Sequence, residues 1–307
     1  MREKRFLFCL LLTCAIACLC ACGKGSSNTA ITLDGKTASV KGPNKASVKI
    51  DSGVITIGRA GTYDLSGTGE LQLIIDTEDG KAVYLNLNGI DLTCAASSPI
   101  WVKKASMVVL NVSEGTQNTI TDRHPYSEED EEKEGEEALP SAAVYSRSPL
   151  LLRGAGKLTV NADSYNGIST SDTFTMEGGN VSVTATHHGI KGKDFVVISG
   201  GSLNIKCEGD GIKATNTEKP SLGYINITDG NLNINANDEG IYAPSSISVS
   251  GGNITVKSKK TAFLTSGQLS FTGGMIDIRT GNEPLVGAKK DFKAEVLITV
   301  NGRPYQK

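Results

Sequence analysis

The chain has 307 residues, a formal net charge of −2, 35 Gly and only 5% aromatic residues. A helical or α/β domain of this length would carry more Leu and aromatic side chains; abundant Gly, Ser, Thr, Asn and Asp point to many short strands joined by tight turns. Nothing in this charge balance suggests a polybasic nucleic-acid binder, and no nucleic-acid partner is expected.

At the N-terminus, Arg2, Lys4 and Arg5 precede an apolar run of 14 residues, Phe6 to Leu19. That run is too short to span a bilayer and fits the apolar region of an export signal. Leu19-Cys20-Ala21-Cys22 followed by Gly23 has the form of a bacterial lipoprotein cleavage site, with Cys22 as the lipidated residue. Ordinary cleavage after a small residue, or lipidation at Cys18 or Cys20, is the alternative. The expected organisation is therefore a lipoprotein signal peptide over 1–22, a linker over 23–30 and one domain over 31–307. Such a chain lies outside the cell and meets the membrane only through its lipid. Cys94 and Cys207, which follow the leader, fall several repeats apart, beyond the roughly 7 Å reach of a disulfide, and are expected to be buried small residues.

Alternating apolar pairs then recur along the chain: Ile55/Ile57, Val83/Leu85, Val108/Leu110, Leu150/Leu152 and Leu158/Val160. Residues 31–63 are expected to form a cap and first coil. An acidic insertion over 122–140 interrupts the pattern. From Asp122 to Ala138 nine acids face two bases, a net of −7, which leaves the rest of the chain after the leader at about +3. No apolar period runs through it, so it reads as a protruding loop.

Beyond Leu158 the repeat becomes regular. Gly179, Gly201, Gly230, Gly252 and Gly274 each precede an alternating strand, at steps of 22, 29, 22 and 22 residues. Phe174/Met176, Val196/Ile198, Ile225/Ile227, Ile247/Val249 and Leu269/Phe271 keep the same steps, and so do the Gly-Ile pairs from Gly167-Ile168 to Gly240-Ile241. The longer step is a seven-residue insertion within Asn216 to Gly223. One such unit cannot bury its apolar face alone, whereas stacked units form a continuous apolar cylinder. The predicted fold is all-β: a single-stranded, right-handed parallel β-helix with coils of about 22 residues and a last strand over 296–300. A monomer is expected.

Candidate chemistry lies at the turns. The residues before Gly-Ile, Asn166, His188, Asp210 and Glu239, form one column expected to point outward, with Tyr165, His187 and Asp238 beside it. A second column holds Asp172, Asp194 and Asn216, with Lys191, Lys193 and Lys213 between the two. Stacked carboxylates suit a hard cation such as Ca²⁺, which takes six to eight oxygen ligands; the alternative is that Asp and Asn only close the turns. His187-His188 is a weak zinc signal, since no further ligand follows at suitable spacing. Trp101, between Ile100 and Val102, is expected to face outward, where its indole could stack on a sugar ring or cover a neighbouring loop. Tyr165, Tyr242 and Tyr145 are weaker candidates of the same kind.

Five segments in order carry a family resemblance: Gly61-Thr62-Tyr63-Asp64-Leu65-Ser66-Gly67; Leu85-Asn86-Leu87-Asn88-Gly89-Ile90; Glu114-Gly115-Thr116-Gln117-Asn118 through Thr121-Asp122; Gly189-Ile190-Lys191-Gly192-Lys193-Asp194; and Gly209-Asp210-Gly211-Ile212-Lys213. Together, over about residues 56–256, they resemble the bacterial carbohydrate-binding domain-containing proteins. The resemblance implies a polysaccharide-lyase-like β-helix that binds calcium and cellulose or acidic sugars. With it, Asp122, Asp172, Asp194, Asp210, Asp238 and Glu239 are the candidate metal ligands, and the columns and strand alternation leave Lys191, Lys193, Lys213, Trp101, Tyr165 and Tyr242 as candidate sugar contacts. This chain departs from the family where Ser146-Arg147-Ser148-Pro149, Asn166 and His188 stand in place of carboxylates. The expected function is a noncatalytic cell-surface polysaccharide binder. A calcium-dependent polysaccharide lyase, with a Lys or Arg153 as base, and a structural adhesin are the alternatives.

Overall fold

The computed structural model describes residues 27–126 and 139–306. The leader with Cys22 and most of the acidic insertion, residues 127–138, lie outside the described residues. The chain winds into a parallel β-helix. From Lys157 onward each coil has three strands, for example Asn180–Ala185, Ile190–Gly192 and Phe195–Ile198. Each strand pairs in parallel with its counterpart one coil on, so that Val183 stands beside Ile205, Ile190 beside Ile212 and Ile198 beside Ile227. The 29-residue step is the insertion between strands Ile212–Ala214 and Tyr224–Ile227.

Toward the N-terminus the architecture simplifies. Gly61–Glu70 and Ala82–Cys94 run straight through what is a corner in later coils. The first half of Ala82–Cys94 pairs with Met107–Val112 and its second half with Gln117–Asp122. These early coils therefore have two strands, which is why the three-column repeat fades there.

Inward residues form the core. Val181, Val196, Ile198, Ile225, Ile227 and Ile234 are fully buried, each contributing about 1.5–3 kcal/mol by leaving water. The cylinder is closed at both ends. An antiparallel pair, Thr29–Gly35 and Thr37–Lys41, covers the first coil. At the other end Phe263, Phe271, Phe292 and Tyr305 pack ring to ring at 5.0, 4.9 and 6.3 Å, and Leu297–Val300 turns back antiparallel onto Arg303–Pro304. Cys94 and Cys207 are buried free thiols. They share one inward ladder through Asp122, Ala162 and Ala185, four coil steps apart, or roughly 19 Å.

The two glycine columns have different causes. Gly201 sits at φ +88°, a left-handed conformation that side chains rarely adopt. Gly167 has ordinary φ, but a Cβ there would lie 2.2 Å from Val183 Cγ1 and 2.6 Å from the Gly189 carbonyl of the next coil. Gly167→Ala is expected to cost about 1–3 kcal/mol through overpacking, read as a lower urea midpoint. Outward Ser182→Ala is expected to stay within about 0.5 kcal/mol of the parent.

Candidate functional site

Each coil has a first corner, between its six-residue and three-residue strands, and a second corner, between the three-residue strand and the next. Three of the four first-corner residues predicted to point outward are in fact tucked in: Asn166, His188 and Asp210 are 0%, 5% and 2% exposed, while Glu239 is half-buried. The reason is an inter-coil hydrogen bond. Asn166 Oδ1 accepts the backbone N–H of His188 at 3.1 Å, His188 Nδ1 accepts that of Asp210 at 2.9 Å, and Asp210 Oδ1 accepts that of Glu239 at 3.1 Å. The Gly after each corner residue donates its own N–H to the corner carbonyl one coil on. These side chains thus replace the backbone ladder where the chain turns.

Beyond that role, Asp210, Asp238 and Glu239 converge, each offering an oxygen within 4.8 Å of the others. Burial first, then hydrogen bonding and like charge from Asp210 and Asp238, pushes the Glu239 acid up to about 7. Lys213 Nζ lies 2.8 Å from Asp210 Oδ2, and Lys260 pairs with Asp238. A shallow cavity of about 440 Å³ opens over the group, rimmed by Thr215, Tyr242 and Leu264. The three carboxylates form an oxygen donor set of the kind a hard cation takes.

The other predicted ligands stand elsewhere. Asp172 and Asp194 are at the second corner, across the three-residue strand, where they close turns. Asp172 Oδ1 accepts the Thr173 N–H at 2.8 Å, and Asp194 Oδ1 accepts from Asn216 Nδ2 at 2.6 Å. Asp122 ends a strand on the inward ladder, fully buried, with Oδ1 accepting the His124 N–H at 2.9 Å; burial pushes its acid up to about 6. The six acids are therefore not one ridge, because the chain turns between the two columns.

Most predicted sugar contacts do share a surface. Trp101, Tyr145, Ser169, Lys191, Lys213, Tyr242 and Leu264 occupy successive places on one ladder of the short strands, roughly 4.8 Å apart, with Tyr145 and Ser169 buried between Trp101 and the lysines. Trp101 is half-buried, and Lys103 Nζ lies over its ring at 4.1 Å, so that face is taken by a cation. Lys213 Nζ is 5.5 Å from the Tyr242 ring. Lys193 is displaced to the second corner, beside Asp194. Tyr165 joins a row of rings along the first corner: His124 to Tyr126, Tyr165, His187 and His188, with centroids 4.7, 5.7, 4.5 and 3.8 Å apart. Burial, then the charge of Lys213, pushes His188 down to about 2, so its ring is neutral.

Two features escaped the sequence reading. Lys260 follows Asp238 by one repeat of 22 residues, a spacing that places it over the acids. Phe195 and Tyr224 stack at 5.0 Å and 15° on the outward side; both immediately precede the inward apolar column, a signal present in the repeat.

Comparison with known proteins agrees with this geometry. The model of a family described as "Carbohydrate-binding domain-containing protein" matches residues 51–303. A protein of that same description from Acetivibrio thermocellus is 35% identical over 162 residues, 52% of this chain and 54% of the relative. The chain thus spans about half the length of the curated relative it matches. A solved structure of the polysaccharide lyase-like protein from C. thermocellum, a gadolinium derivative, aligns with a TM-score of 0.66 at 29% identity, covering 89% of this chain and 96% of that one. With a family match over most of its length and a shared β-helix, the chain belongs to the family of carbohydrate-binding domain-containing proteins.

Proposed function

We propose that this protein is a noncatalytic polysaccharide binder, tethered outside the cell through Cys22, that holds Ca²⁺ with Asp210, Asp238 and Glu239. The observation that carries this reading is the convergence of those three carboxylates on an open face, beside the ladder of Lys191, Lys213 and Tyr242. Bound Ca²⁺ supplies a hard, oxygen-seeking charge there, and the acids hold it against a surface shallow enough for an extended polymer. Repeated contacts along stacked coils raise avidity without a deep pocket. No helix among the described residues is long and apolar enough to cross a membrane, which suits a lipid tether.

A lyase is the second reading, favoured by the name of the structural neighbour. β-Elimination needs a base at the sugar C5 proton. Lys213 is ion-paired with Asp210 at 2.8 Å, and Lys193 lies at the other corner, so neither is placed as a base. Incubation with polygalacturonate is expected to give retention without unsaturated product, and accumulation of such product would establish the lyase instead. Cys22→Ser is expected to move the protein from the membrane fraction to the medium.

The metal assignment has a thermodynamic test. Without Ca²⁺, folded Glu239 keeps a proton up to about pH 7 that the unfolded chain gives up near 4.5, and Asp122 acts in the same direction between 3.8 and about 6. The folded state therefore binds more protons, and stability falls as pH rises across this window. Calorimetry in chelator is expected to show that decline, shallower in Glu239→Gln. Ca²⁺ at a hundredfold excess over Kd is expected to add about 2.7 kcal/mol at pH 7.5, raising Tm by about 5 °C or more. Asp210→Asn plus Glu239→Gln is expected to abolish the rise; an undiminished rise in that variant would place the ion elsewhere.

A further inference from the structure

At the N-terminal end of the β-helix, Thr37–Lys41 and Val48–Asp51 are the last strands of the two sheets, each paired with one neighbour only. Ala38, Val40, Val48 and Ile50 are half-buried against the core, so the alternating positions face out. Over residues 29–60 five bases, Lys36, Lys41, Lys45, Lys49 and Arg59, stand against two acids, Asp34 and Asp51. All seven are exposed. Lysines often guard an open sheet edge against pairing with another chain, and the C-terminal end carries them too. There, Lys290 and Lys293 lie 3.5 and 3.7 Å from Glu283 and Asp291. At the N-terminal end none of the five bases enters an ion pair among the described residues. Edge protection alone leaves that difference unexplained. The start of the described chain lies among these same bases. Asn28 Nδ2 donates to Asp64 Oδ1 at 3.1 Å, and Thr29 Oγ1 accepts the Asn44 N–H at 2.9 Å. A Cβ at Gly42 would lie 2.7 Å from the Asn28 carbonyl. The segment leading back to Cys22 therefore leaves the fold beside Gly42, flanked by Lys41 and Lys45.

We propose that this end of the β-helix is a membrane-docking surface, seated on anionic lipid headgroups by Lys36, Lys41, Lys45, Lys49 and Arg59. The inference rests on the lipid tether at Cys22 and adds an electrostatic contact to it. Cys22 stands five residues before Ser27, a contour of at most about 18 Å. A tether that short holds the bases within about two Debye lengths of the bilayer at physiological salt. Charge elsewhere favours end-on seating. Residues 61–100 hold six acids and one base. The acidic insertion, with nine acids and two bases from Asp122 to Ala138, leaves the wall three coil steps from Thr29–Gly35. An anionic surface repels the molecule lying on that wall and attracts it standing on its basic end. Upright, the chain carries Asp210 six coil steps from its first strand, roughly 29 Å farther out, where an incoming polymer reaches it first.

The test uses the mature lipoprotein, purified from membranes and added to preformed vesicles of phosphatidylcholine, alone or mixed equally with phosphatidylglycerol. Each lysine is read by its rate of acylation with a membrane-impermeant reagent, resolved by mass spectrometry. With phosphatidylglycerol at low salt, Lys36, Lys41, Lys45 and Lys49 are expected to react about tenfold or more slowly, each base near an anionic surface contributing about fivefold. Lys206 and Lys257, exposed on the outer wall, are expected to react alike on both vesicles. Molar salt, which cuts the Debye length to about 3 Å, is expected to erase the difference. Lys41→Gln plus Lys45→Gln changes two exposed side chains outside any ion pair and is expected to remove the protection of Lys36 and Lys49. Absence of lipid-dependent protection, equal protection at Lys206 and Lys257, or full protection in the double variant overturns the docking surface. The same protection given by soluble polyphosphate on phosphatidylcholine overturns the lipid assignment. Flotation separates this inference from the tether beneath it. Protein that floats with phosphatidylcholine vesicles but gains no protection from phosphatidylglycerol overturns the docking surface alone, whereas protein that stays in solution overturns the tether and the docking together.

Discussion

At the first corner the chain leaves its sheet for three or four residues, and at three successive coils one backbone N–H there loses its strand partner. A side chain from the preceding coil accepts it. Asn166, His188 and Asp210 do this with three different functional groups, which shows what the position requires: an acceptor of the right reach, buried, and nothing more specific. An unsatisfied buried amide would cost about 1–3 kcal/mol at each coil. Because the acceptor is obligatory and the remaining atom is not, the corner fixes the architecture and leaves the chemistry open. Asp210 turns its second oxygen to Lys213 beside the other two acids, and His188 turns its second ring nitrogen to the same ammonium.

The same division explains how much could be read from the sequence. The strands were legible because stacking forces like residues into register: the apolar pairs from Phe174/Met176 to Leu269/Phe271 form the inward ladders the spacing predicts. The cation pair Lys191 and Lys213 and their neighbour Tyr242 also fell on one ladder, since alternation within a strand assigns faces. Turns carry no such alternation. Nothing in the spacing of Asp194 and Asp210 says that they stand at opposite ends of the three-residue strands, nor that Asp122 ends on the inward side. The burial of Asn166, His188 and Asp210 was equally hidden, because the amide that draws each side chain inward belongs to the next coil. In the early coils the merging of two strands into Ala82–Cys94 reduced a corner to an irregularity, where Gly67 and Gly89 keep φ of +89° and +84° but the even residue step is gone.

Membership of the carbohydrate-binding domain family and the β-helix shared with a polysaccharide lyase-like protein place the chain among glycan-facing scaffolds. What distinguishes this member is local. Acids gather at Asp210, Asp238 and Glu239, while one coil earlier His188 stands where a carboxylate would extend the cluster. Cation-attracting and anion-attracting groups thus sit within one coil step, roughly 4.8 Å, with Lys213 between them.

From Gly167 through Gly189 and Gly211 to Gly240 there is no room for even a methyl group between coils, and the column continues as buried Ala143 and Ala262 at its two ends, so the stack cannot slip or stretch by part of a turn. Length in this molecule is quantised. A coil can be gained or lost whole, bringing its corner acceptor and its outward side chain as a set, while extra residues are absorbed at the corners, before Gly223 at a second corner and between Asp122 and Ala142 at a first. Selection acting on such a chain edits a row of interchangeable rungs, and a change of ligand preference can proceed one rung at a time without renegotiating the fold.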